Sequence, residues 1–181
     1  WERSEQVLAK AKAAADRAIA LDPQSPWGHM ALGYYYYWGR KEYDRAEAEI
    51  ATADRLLPNQ VDFLLARAFI LRRRGSFEAA AQLLERAETL DPHNVELFYT
   101  TGETHLLLRR FTAANGAFDR AIQLAPNGTS AYLGKARAAL LAGDGEHAQA
   151  ILAGARVAAE PGFLLDCASI YFNARQFDRA L

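Results

Sequence analysis

PNQVDFLLARAFILRRRGSFEAAAQLLERAETLDP, residues 58–92, is one full period of this chain. It opens on Pro58, offers Asn59 as a polar cap, and runs through helix-compatible residues to a break at Gly75. A second, alanine-rich stretch then continues to Pro92. Beta-branched residues are sparse and no polar–apolar alternation appears, so both stretches read as helices joined by a short turn. Working outward, Pro23, Pro58, Pro92, Pro126 and Pro161 recur at intervals of 35, 34, 34 and 35 residues. Proline cannot continue a helix, and a fixed period of this size marks stacked supersecondary units. Ser25, Asn59, Asn94 and Asn127 or Thr129 offer caps after the prolines, with Pro26 suited to a first helical position. Gly39, Gly75 and Gly143 mark the breaks inside the units.

The expected organisation is a single all-α array over residues 1–181. Residues 1–23 form the second helix of a preceding repeat, with the helix itself from about Ser4 to Leu21. Full repeats follow at 26–58, 61–92, 95–126 and 129–161. Residues 162–181 form a truncated repeat whose first helix runs from about Gly162 to Ala174. Each hairpin buries its apolar face on its neighbours, so cut ends leave core residues uncovered. Val7, Leu8 and Ala11 at one end, and Phe177 and Ala180 at the other, are the expected orphans.

Composition narrows the function. Hydrophobic residues make up 51% of the 181 and charged residues 24%, a globular balance. Lysine plus arginine (21) nearly cancel aspartate plus glutamate (22), a formal net charge of −1. The basic excess that neutralises phosphates is missing, so nucleic acid is not an expected partner. Cys167 is the single cysteine, which excludes an internal disulfide framework and, with four scattered histidines, a cysteine-rich metal site. The longest apolar stretch, Trp27 to Trp38, is too short to insert across a bilayer. His29, His93, His105 and His147 fall in different repeats, and no nucleophile–base pair or phosphate loop is present. We therefore expect no enzyme, cofactor or metal site. The chain opens at Trp1 without an initiator Met and reads as a piece of something longer; its start is silent on compartment, and a cytoplasmic location is expected.

The register inside the units is specific. Leu64, Ala68, Leu71, Gly75, Phe77, Ala80, Leu84, Ala87 and Pro92 occupy fixed slots of the second hairpin. Phe98, Gly102, His105, Phe111, Ala114, Phe118, Ala121 and Pro126 fill the same slots of the third. The first shows Leu32, Gly33, Tyr36, Tyr43, Ala46, Ile50, Ala53 and Pro58, with one residue inserted at its inter-helix turn. The fourth gives Tyr132, Ala136, Ala139, Gly143, Ala148, Leu152, Ala155 and Pro161, and a fifth begins with Leu164, Ala168 and Tyr171. Over nearly the whole chain this resembles the tetratricopeptide repeat family. Gly33, Ala68, Gly102 and Ala136 would let paired helices approach, while Tyr36, Phe77, Phe111 and Phe118 fill space between hairpins. Arg67, Thr101 and Lys135 stand where the family usually has leucine, which questions local packing but not the fold.

The resemblance implies a right-handed α-solenoid, a superhelix whose concave groove is lined by the first helices of successive hairpins. It also implies a protein-interaction scaffold that holds a peptide or partner subunit in that groove. The groove-facing stripe would be Trp27, Met30, Tyr34, Tyr37 and Trp38, then Asp62, Leu65, Phe69 and Arg72. Glu96, Tyr99, Glu103 and Leu106 follow, then Ser130, Leu133, Arg137 and Leu140, and finally Leu165, Ser169 and Phe172. Its leading part is apolar and aromatic, which suits an apolar or amphipathic segment. Chaperone-binding members use lysine and asparagine on these faces; Met30, Tyr34, Leu65 and Phe69 stand there instead, so no carboxylate clamp is expected.

Tyr36 falls in a packing slot, but Tyr34 to Tyr37 sweep about 300° of helical arc and cannot all face one core. Tyr34 and Tyr37 are therefore open to either the core or the groove. Arg72, Arg73 and Arg74, echoed by Arg109 and Arg110, read first as solvated cations at helix C-termini. The sharper reading is that Arg72, facing the groove beside Tyr37, makes a cation–π contact or meets an acidic residue of a peptide. Two other functions stay open: self-association through exposed repeat ends, and a regulatory module whose catalytic or DNA-binding domain lies elsewhere. The run from Ala31 to Arg45 is similar to repeat regions of large bacterial signalling and regulatory proteins.

Overall fold

The computed structural model describes residues 5–155. The expected helix over 162–174, Cys167, the stripe residues Leu165, Ser169 and Phe172, and the orphans Phe177 and Ala180 lie outside the described residues. Among the described residues every regular element is a helix: α1 (Glu5–Leu21), α2 (Pro26–Tyr34), α3 (Tyr43–Leu56), α4 (Val61–Arg73), α5 (Phe77–Leu90), α6 (Val95–Leu107), α7 (Phe111–Leu124), α8 (Thr129–Leu141) and α9 (Gly145–Ala153). The architecture is the expected all-α repeat of stacked helical hairpins. It divides into two compact units, Trp1–Asp91 and Pro92–Leu181.

Side-chain caps start some helices as expected. Ser25 accepts from the Gly28 N–H at 3.3 Å and Asn94 from the Leu97 N–H at 3.1 Å. Two expected caps are displaced. Gln60 is the cap residue of α4, while Asn59 adopts a left-handed conformation (φ 65°) and its side-chain oxygen accepts from Arg86. Gly128, not Asn127 or Thr129, precedes α8.

The first hairpin carries a structural irregularity. After Tyr34 the helix widens into a π-helical segment, Tyr35–Arg40, closed by Lys41 in a left-handed conformation (φ 57°). In the other three hairpins the left-handed residue is Gly75, Arg109 or Gly143. One backbone bond closes all four turns: Glu42 N–H to Tyr36 C=O (3.0 Å), Ser76 to Leu71, Arg110 to His105 and Asp144 to Ala139 (2.9 Å each). The four acceptors occupy the same repeat slot, so the first turn spans the bond with one residue more than the others. The residue inserted in the sequence is thus taken up as a π-helical turn. Gly39 is not the break it resembles: a Cβ there would stand 2.7 Å from Leu8 Cδ2, so it lets α1 approach closely.

In the first unit the core gathers Ala15, Leu32, Ala46, Ile50, Ala53, Phe63 and Ile70 around Tyr35, Tyr36 and Tyr37. A Cβ at Gly33 would lie 2.5 Å from Ile50 Cδ1, which explains the small residue expected there. Leu8 packs against this core, whereas Val7 and Ala11 on α1 are exposed. In the second unit Phe118 of α7 is fully buried between two glycines. A Cβ at Gly102 or at Gly134 would stand 2.5 Å from its ring. Gly102 was legible as a contact residue; Gly134 was not.

The polar residues in leucine slots are partnered. Arg67 of α4 donates to Glu47 (3.0 Å) and Asp54 (3.3 Å) of α3, and Lys135 of α8 donates to Asp119 of α7 (2.5 Å). Thr101 is buried. At Arg67 and Lys135 ion pairs stand where the family pattern would use leucine.

Candidate functional site

Helix α2 and its π-helical extension carry two exposed tryptophans, Trp27 (49% exposed) and Trp38 (47%). The Trp27 ring tilts against Phe63 of α4, centroids 5.0 Å apart. Met30, Tyr34 and Phe69 are half-buried and rest on the unit's core. Leu65 is buried, and Arg72 is half-buried. These residues come from the consecutive first helices α2 and α4.

Tyr34 is half-buried, and Tyr35, Tyr36 and Tyr37 are all buried. The reason is that their helix is flanked on several sides, and each hydroxyl or ring meets a different neighbour. Tyr35 accepts from Arg40 Nε (2.8 Å), whose guanidinium reaches Glu5 of α1. The Tyr36 ring lies under Arg45 of α3 at 4.4 Å. Tyr37 accepts from Arg73 Nε of α4 at 3.2 Å. The expectation for the basic run named Arg72 beside Tyr37; the structure shows Arg73 donating to the Tyr37 hydroxyl. That hydrogen bond raises the Arg73 pKa above its ordinary value. Arg74 pairs with Asp44 at 3.2 Å, so the basic run is engaged beyond simple solvation.

At the π-helical segment lies a recess of about 220 Å³ lined by Tyr37, Trp38, Lys41, Tyr43 and Arg73. Its aromatic walls are interlocked: Tyr37 meets Trp38 edge-on at 4.7 Å and Tyr43 at 5.8 Å. A wider depression of about 630 Å³, lined by Lys41, Glu42, Tyr43, Asp44, Arg45 and Arg74, shares two of these residues. Lys41, Tyr43 and Arg73 were not among the expected site residues. The signal available in the sequence was the one-residue insertion before Tyr43, whose conformational outcome no residue count gives.

The second unit treats the corresponding stripe differently. Tyr99 is half-buried with its ring 6.1 Å from Phe118, and Leu106 is buried. Glu103 of α6 and Arg137 of α8 are brought together as an ion pair, the Arg137 Nη2 donating to Glu103 Oε1. Among the described residues no group of three or more histidine, aspartate, glutamate or cysteine side chains is placed to hold a metal ion. None of the described helices is long and apolar enough to cross a membrane.

A model of the tetratricopeptide repeat family matches residues 35–95 and 99–162. No protein of curated function matches the chain in sequence. Among solved structures it is similar to YrrB, described as a tetratricopeptide protein with an unusual peptide-binding site (20% identity, 91% of this chain and 84% of that one, TM-score 0.72). It is similar also to TTC0263, a thermophilic tetratricopeptide protein of Thermus thermophilus (20% identity, 91% of each chain, TM-score 0.73). A third is MamA from Desulfovibrio magneticus RS-1, residue 41 to the end (14% identity, 84% and 85%, TM-score 0.74). At such identities the likeness is one of fold.

Proposed function

The chain belongs to the tetratricopeptide repeat family, and from that premise we propose that it is a non-catalytic protein-interaction scaffold. Its first unit takes an apolar or amphipathic peptide segment on the stripe of Trp27, Met30, Tyr34 and Phe69. The observation that carries the reading is Trp27, a large aromatic left 49% exposed yet held at a fixed tilt on Phe63. A rigid, half-desolvated indole loses little entropy when a partner covers it, which is why tryptophan anchors so many interfaces. Tyr37, Leu65 and Arg72 form the floor and edge of this surface. In the second unit Tyr99, Glu103, Leu106 and Arg137 offer a smaller, charge-bearing stripe for the same class of partner.

Selection of a random 12-residue peptide library on the immobilised chain tests this. Selected peptides should carry two or more large apolar residues at helical or extended spacing. Replacing Trp27 by Ala should weaken them about tenfold or more, as expected of a buried aromatic anchor. Peptides with only charged residues, or binding indifferent to both Trp27→Ala and Phe69→Ala, would refute the proposal.

A second reading is supported by α1, which leaves Val7 (51%) and Leu21 (73%) exposed. On it the chain self-associates through that face. Sedimentation at increasing concentration distinguishes the two, because a Val7→Glu change would lower the apparent mass under self-association alone.

A further inference from the structure

The turn that is one residue longer than its counterparts stands beside two cations, Lys41 and Arg73. At this end of the first unit Arg40 reaches Glu5, Arg45 reaches Glu42 and Arg74 reaches Asp44. Among the described residues Lys41 and Arg73 have no carboxylate partner, and both line the recess of about 220 Å³. No acidic side chain and no histidine lines it.

The polar groups of its lining are donors. Arg73 commits Nε to Tyr37 and keeps its two Nη groups for a ligand. The Tyr37 oxygen accepts that bond and retains its own proton to donate. Lys41 adds an ammonium from the left-handed turn position, and Trp38 and Tyr43 supply apolar walls. Taking about 30 Å³ per liquid water, the recess holds roughly seven, room for a tetrahedral oxyanion and the first atoms of its carrier.

Charge matching selects the anion. A carboxylate would leave one of the two cations unanswered. A phosphate monoester carries about −1.5 to −2 at neutral pH and offers three acceptor oxygens, to which a guanidinium fork binds in bidentate fashion. We infer that the recess formed by Tyr37, Trp38, Lys41, Tyr43 and Arg73 is a subsite for the phosphate group of a phosphorylated side chain in a bound peptide. The inference rests on the peptide-scaffold reading, because Trp38 belongs to both the recess and the stripe that begins at Trp27.

The test uses the whole 181-residue chain titrated with phenyl phosphate and, in parallel, benzoate, followed by the indole N–H resonances. Phenyl phosphate should bind about tenfold more tightly than benzoate or better, and move Trp38 while leaving Trp27 in place. Arg73→Ala and Lys41→Gly should each weaken it about tenfold, the loss of one charge-assisted hydrogen bond. Glycine is chosen at position 41 because it accepts the left-handed turn, and unchanged helical circular dichroism shows that both variants fold. Binding should also weaken as pH falls through about 6, where the ester takes up its second proton while both side chains stay charged. Equal binding of benzoate, an equal shift of Trp27, or indifference to Arg73→Ala overturns the inference. The scaffold reading is judged separately. A selected peptide bound equally with and without a phosphoserine upholds the stripe and overturns the recess. Phenyl phosphate binding lost in Arg73→Ala upholds the recess even if Trp27→Ala leaves peptide binding unchanged.

Discussion

One position in each first helix separates the two units. Directly after the close-contact residues Gly33 and Ala68, the first unit carries Tyr34 and Phe69. After Gly102 and Ala136, the second carries Glu103 and Arg137. Packing fixes the backbone at this position in both units through the small residue beside it. The side chain itself is left to vary. In the first unit the result is an apolar surface resting half-buried on the core. In the second the two charges satisfy each other, and a ligand must displace that pair before using either. The lesson is that residues which build the stack and residues which display chemistry are neighbours in sequence but separable in role.

The largest test of this contrast lies in the cores. Phe118→Ala should cost about 3–5 kcal/mol, because two glycine-lined faces lose their filler at once. Ile50→Ala, with one such face, should cost about 3 kcal/mol. Urea midpoints measure both, and a larger loss at Ile50 would break the comparison. Next comes Arg67→Leu. Restoring the family's usual residue should destabilise by about 2 kcal/mol, since Glu47 and Asp54 are left partly buried without their cation. Adding Glu47→Gln and Asp54→Asn should recover most of it. A smaller effect separates the turns: Gly75→Ala and Gly143→Ala should each lose about 1 kcal/mol, while Lys41→Gly and Arg109→Gly gain a similar amount. Thermal unfolding reads all four. The smallest is the Glu103–Arg137 pair, where a double-mutant cycle should give at most about 1 kcal/mol, fading in high salt.

Much of the fold was legible because its signals are backbone signals. Proline ends a helix whatever surrounds it, and the close approach at Gly33 and Gly102 tolerates no side chain. Gly134 was missed because its contact depends on a ring from the preceding helix, which no local pattern records. Of the four tyrosines that cannot all face one core, Tyr34 stays half-buried, and the three after it are buried because this helix has neighbours on several sides. The site was read less well. Met30, Tyr34 and Phe69 are half-buried against the first unit's core and Trp27 is exposed beside Phe63. The recess was invisible because its shape comes from a π-helical turn, and so was the hydrogen bond from Arg73 to the Tyr37 hydroxyl.

That turn has a consequence for how such a chain can change length. Helices α2, α4, α6 and α8 begin at Pro26, Val61, Val95 and Thr129, so only the first interval carries an extra residue. The helix absorbs it locally, and the closing bond from Glu42 to Tyr36 forms as in the shorter turns. From Tyr43 to Gly145 the second helices then keep one phase, starting 34 residues apart. A repeat chain built this way can acquire a residue in one place without a frame error being passed to the next hairpin. The added residue becomes new surface, open to selection, in a fold that otherwise repeats itself.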